Sequence, residues 1–161
     1  MAQWPAQWPH PAKAIATGTV DAVTAAAAAD ADTFADATDR LLAAEPDQVR
    51  AVHSAMVREL LEGTHPDGLS GEAVQEVLER TARAAAVWLP TLDVAALAVV
   101  LTGSLGLTDY DEDTARVGWP VVLRHALLVI ADLLTVAQSP ADGYLLRAIG
   151  EIARAETVEM P

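Results

Sequence analysis

The sequence predicts an all-α protein, a single-domain bundle of five to six helices in up-and-down or orthogonal arrangement. Three observations lead there. Apolar residues recur at helical spacing through most of the chain. Alanine and leucine, which lose little entropy in a helix, dominate the apolar content. No stretch alternates apolar and polar residues as a half-buried strand does. The length of 161 residues fits one domain and needs no disulfide or metal to hold it. The expected division is an extended arm over 1–18, a helical body over 19–155 and a frayed tail over 156–161.

The arm carries the repeat Trp4-Pro5 and Trp8-Pro9, followed by His10-Pro11. Proline lacks a donor and restricts its predecessor, so this piece is expected to be extended. Its two tryptophans either fold back onto the body of the chain or dock on a second subunit or partner. Residues 20–44 form one continuous helix in this reading, with Val20, Val23, Ala27, Phe34 and Leu41 on one side and the alanine run 25–29 in its middle. A second helix over 46–62 starts with Pro46 in its first turn and ends at Gly63. A third is capped by Ser70, presents Val74, Val77, Thr81, Ala85 and Trp88 along one stripe, and stops at Pro90.

The next segment, 92–105, is apolar on every side and is expected to be the central, most buried helix, with Thr91 as its cap. The polar segment 108–118 holds at most a short helix begun by Asp109 or Asp111. Residues 120–137 follow. Arg124, His125, Asp132, Thr135 and Gln138 project onto one narrow side, and the rest of the circumference is apolar. A last helix over 140–154 carries the stripe Ala141, Leu145, Ile149 and Ile152. The stretch 84–107 is interrupted by Pro90 and Asp93, its uninterrupted part, Val94 to Leu101, is too short to read as a membrane span, and the N-terminus lacks the basic and apolar regions of a secretory signal.

Composition narrows the chemistry. The chain has no cysteine, which removes disulfides, zinc-thiolate sites and thiol nucleophiles and fits a reducing, cytoplasmic setting. Its formal net charge of −13, with arginines scattered singly, disfavours nucleic acid and anionic membrane as partners. Asp109, Asp111 and Asp113 alternate as at the start of an EF-hand loop. Thr114 then stands where glycine is required and Pro120 where the bidentate glutamate belongs, so the segment reads as a solvated helix start. No two histidines share a zinc-binding spacing, no Glu-x-x-His occurs, and no nucleophile elbow or phosphate loop is present.

No catalytic, metal or cofactor residue is therefore assigned, and the chain is not expected to be an enzyme. An enzymatic site would have to be assembled from His53, His125 and Arg124 on separate elements. The residues singled out for a ligand or interface are Trp88, Trp119, Arg124, His125 and Asp132. The expected function is that of a non-enzymatic interaction protein, self-associating as a homodimer, because segments 92–105 and 120–137 carry more apolar circumference than a small bundle readily covers. A protein partner of another kind fits the same surplus. The alternative is a small apolar-ligand-binding domain, its pocket between the helices over 70–89, 92–105 and 120–137.

Overall fold

The computed structural model describes residues 4–159, and among these the chain is all-helical, with eight helices and no strand. They are α1 (His10–Ala27), α2 (Ala31–Leu42), α3 (Pro46–Thr64), α4 (Gly71–Ala86), α5 (Val94–Ser104), α6 (Tyr110–Val117), α7 (Trp119–Ala137) and α8 (Asp142–Glu159). Two differences raise the count above five to six. The short segment after α5 is a helix, and the expected continuous helix over 20–44 is two helices.

The break falls at the alanine run. Ala29 takes a left-handed conformation (φ 54°), and the Asp30 N–H reaches back to the Ala25 carbonyl at 2.9 Å, closing a Schellman-type turn. Asp30 then caps α2, its carboxylate accepting from the Thr33 N–H and the Thr33 hydroxyl at 3.1 and 2.7 Å. Alanine propensity favours helix on both sides of the turn but cannot choose between one rod and a hairpin. Packing decides, because α2 folded back on α1 buries Phe34 and Leu41.

The extended arm is also shorter than expected. Helix α1 begins at His10, with Pro11 in its first turn where a missing N–H costs no hydrogen bond. The non-helical part is Trp4–Pro9. It lies on the body: Trp4 and Trp8 stack at 5.7 Å, and the Trp4 Nε1–H donates to the Thr17 hydroxyl at 3.0 Å. At the other end α8 continues to Glu159, so the expected fraying over 156–159 is not seen. Residues 1–3 of the arm and 160–161 of the tail lie outside the described residues.

The central helix is α7, not 92–105. It packs against α1 to α6, while α8 closes the bundle on α3 and α1. Its side chains from Val122 to Leu134 are buried except for Arg124, which is half-buried, and Asp132, which is nearly buried. Among the described residues α7 alone is long and apolar enough to cross a membrane, and here those side chains form the core. Helix α5 lies to one side of it. Asp93, not the expected Thr91, is its cap and accepts from the N–H groups of Ala95 and Ala96. Arg58 of α3 donates to the Ser104 carbonyl at the other end of α5, at 3.1 Å. With these contacts most of the apolar circumference of both segments is enclosed within one chain, apart from Val94, Ala95 and Val136 near their ends. The surplus on which the expectation of a homodimer rested is absorbed by the fold.

Ala29→Gly tests the turn. A left-handed alanine is strained by about 1 kcal/mol, partly offset by the greater freedom of glycine when unfolded. The variant is expected to raise the urea midpoint slightly, whereas Ala14→Gly on the exposed face of α1 lowers it, through a stability loss of about 0.5–1 kcal/mol. Equal losses at both sites would remove the left-handed turn.

Candidate functional site

Two of the five singled-out residues come together. Trp88, just past the end of α4, and Asp132, on α7, line an open groove of roughly 320 Å³ between the C-terminal end of α1, α4 and α7. The floor is made by Ala85, Leu128 and Ala131, each nearly buried. Ala27, Ala84 and Val87 stand exposed along the rim. A second hollow, of roughly 420 Å³, shares Ala27, Ala131 and Thr135 with the first and extends it along α7 toward Pro140. The groove therefore lies among α1, α4 and α7, whereas sequence places a pocket among α4, α5 and α7.

Its origin is compositional. Where α1 and α4 flank α7 the facing side chains are alanines, whose methyl groups cannot fill the space between helix axes. Polar detail is sparse. Arg80 forks onto Asp132, its Nε and Nη2 donating at 2.9 and 2.7 Å to Oδ2, and Asp132 is only 10% exposed. Thr81, one residue further along α4, is buried on the groove wall and its hydroxyl has no hydrogen-bond partner. Trp88 is held by an edge-to-face contact with Phe34, centroids 5.3 Å apart.

The other three residues are elsewhere. His125 lies two turns before Asp132, about 10 Å along the helix axis. Its two nitrogens are occupied: Nδ1–H donates to the Val121 carbonyl at 2.7 Å and Nε2 accepts from the Asp93 N–H at 2.9 Å. This fixes a neutral imidazole that clamps the start of α5 to α7. Burial pushes its pKa below the ordinary histidine value. Arg124 beside it is half-buried and adds to that lowering. Trp119 opens α7, with its indole N–H buried and unpartnered. These three mark how α7 is seated and do not reach the groove.

His53 is likewise internal. Its Nε2 lies 2.9 Å from the Thr19 hydroxyl, joining α3 to α1, and complete burial holds its pKa down to about 4. It shares no cluster with His125 or Arg124 that the structure brings together. Among the described residues no group of three or more histidines and carboxylates gathers as a metal site would require. Asp109 caps α6, Asp111 pairs with Arg50, and Asp113 pairs with Arg116 at 3.3 Å, so that acidic run serves helix α6 and its docking. Comparison of the chain with protein families, with characterised proteins and with solved structures returned no match.

Thr81 and Val87 were not singled out from sequence. The stripe of α4 includes Thr81 as one more core position, and nothing in a single sequence shows that its hydroxyl lacks an acceptor. Val87 falls off the stripe, and that displacement was the available signal.

Two outcomes follow. Removing the Arg80 guanidinium as Arg80→Met strands a nearly buried carboxylate and is expected to destabilise the fold by about 2 kcal/mol, with most of it recovered in Arg80→Met/Asp132→Leu. Urea unfolding of the two variants checks this, and an unchanged single variant would show that the fork contributes nothing. For His53 the folded state refuses a proton that the unfolded chain accepts. Stability is therefore complete above about pH 6.5 and falls as pH drops toward about 4, by on the order of 3 kcal/mol. His53→Gln should flatten that acid slope in thermal unfolding, and a slope equal to that of the parent would reassign it to other groups.

Proposed function

We propose that this chain is a non-enzymatic interaction protein that self-associates as a homodimer through the α1–α4–α7 groove. One observation carries the reading. Val87 is 85% exposed, and it stands on the rim of an unfilled apolar groove. A projecting apolar side chain beside an apolar hollow is a self-complementary patch. A two-fold axis through it seats the Val87 of each copy in the groove of the other, which is what an isologous contact requires. Trp88 and Asp132 then serve as the flat wall and the polar edge of the contact.

The openness of the groove favours this over a small ligand, since ligand sites enclose most of their occupant. Charge sets the conditions. Two bodies of net charge −13 repel, so the apolar contact must overcome a long-range penalty that salt screens.

Light scattering and sedimentation at micromolar concentration test this. Dimer is expected, and its share should rise with added salt. Val87→Asp lies on the surface and leaves the monomer folded. It removes two buried valines per dimer, about 1.5 kcal/mol each, and weakens association roughly 100-fold. A parent chain that stays monomeric at high salt, or a Val87→Asp variant that dimerises as well as the parent, overturns the reading. Saturable uptake of a small apolar compound by a monomer, lost on filling the groove with Ala84→Trp, would favour the ligand alternative instead.

A further inference from the structure

A second apolar cleft, independent of the groove, opens among α1, α3, α8 and the Trp4–Pro9 segment, with a volume of roughly 230 Å³. Its floor is Ile15, Val52 and Ile149, which are 2%, 3% and 7% exposed. One wall is the indole of Trp8. That wall is held in place: Trp8 stacks on Trp4, the Trp8 backbone N–H donates to the Pro5 carbonyl at 3.1 Å, and Trp4 is tied to Thr17. The cleft is thus a wall, a floor and a mouth built from four separate parts of the chain.

The mouth has a definite sign. The polar residues lining the cleft are Gln48 and Glu156, both exposed, and no lysine, arginine or histidine lines it. An apolar body seated on the isoleucine floor would leave its head group beside a carboxylate and an indole, within the field of a chain of net charge −13. A carboxylate head is repelled there, and a hydroxyl gains nothing from the charge. An ammonium is attracted by the carboxylate, and where it meets the indole face or edge not taken by Trp4 it also meets the electron-rich ring. We propose that this cleft is a binding site for a small amphiphilic cation, an ammonium group on a short alkyl or aryl body, with Glu156 receiving the head and Ile15, Val52 and Ile149 the body.

The test compares hexylammonium, 1-hexanol and hexanoate, which share one apolar body and differ in the head. Each is titrated into the full chain by calorimetry, with the location mapped by amide chemical shifts in NMR. Hexylammonium is expected to bind saturably and several-fold tighter than hexanol, with hexanoate weakest, and its shifts should centre on 8–15, 48–52 and 149–156. Glu156→Gln changes an exposed side chain and should bring hexylammonium to the level of hexanol. Ala153→Phe, also exposed and lining the cleft, should block the binding of both while circular dichroism stays unchanged. Equal binding of the three heads, no saturable binding of hexylammonium, or shifts centred on Thr81, Val87 and Ala131 instead would overturn the assignment. Dimerisation through Val87 is measured separately and stands or falls by its own variants.

Discussion

The fold depends on burying one helix. Helix α7 is apolar over most of its circumference, and a side chain left facing water on it forfeits on the order of 2 kcal/mol of burial. It therefore needs neighbours on nearly every side, and α1 to α6 supply them. The few polar groups on α7 become fixed points of the arrangement. His125 can stay buried only as a neutral ring with both nitrogens occupied, which ties α5 to α7 through the Asp93 N–H. Asp132 can stay nearly buried only with a cation on it, which ties α4 to α7 through Arg80. Thr135 returns its hydroxyl to the Ala131 carbonyl of the same helix and makes no demand on a neighbour.

The same constraint explains why a groove survives in an otherwise filled bundle. Helices α1 and α4 are placed by what they bury elsewhere: α1 by its pairing with α2, α4 by the Arg80 fork and by burial of Val77 and Ala85. Between them the side chains facing one another over α7 are mostly alanines. Methyl groups at fixed helix separation leave space, and no larger side chain within the described residues reaches in to take it. An alanine-rich chain thus obtains close helix approach in most places and an unfilled seam where two helices are held apart for other reasons.

What sequence revealed follows the same division. Helices 46–64, 71–86 and 119–137 were legible because each joins a strong apolar period to a recognisable start, at Pro46, Ser70 and Pro120. Over 20–44 the pattern misleads, because alanine has no face. A run of it fits any helical phase, and the only mark of the break was Asp30 standing three residues before Thr33. The arm was misread for a related reason: a proline that ends a helix and one that opens it look alike until the following periodicity is weighed, and Ile15 and Thr19 were the start of that period. At the site, periodicity identifies the side of a helix a residue occupies but not the neighbour it meets. Trp88 and Asp132 could be marked from sequence, whereas the meeting of α1, α4 and α7 that gives them a common groove could not.

The acidic surface gives the remaining apolar features their meaning. Arg40, Arg50, Arg80, Arg116 and Arg147 are each committed to a carboxylate of the same chain. Most of the acidic residues are left facing solvent without a cation, and the field around the molecule is negative. Such a field keeps copies apart at long range, so an exposed valine or an open cleft does not by itself cause aggregation. Only an occupant that matches shape closely, or that brings positive charge, gains enough at short range to offset the repulsion. The proposed homodimer contact at Val87 relies on the first condition and the proposed cation site at Glu156 on the second. One net charge is thus compatible with both proposals, on a chain whose interior is built mostly of alanine, valine and leucine.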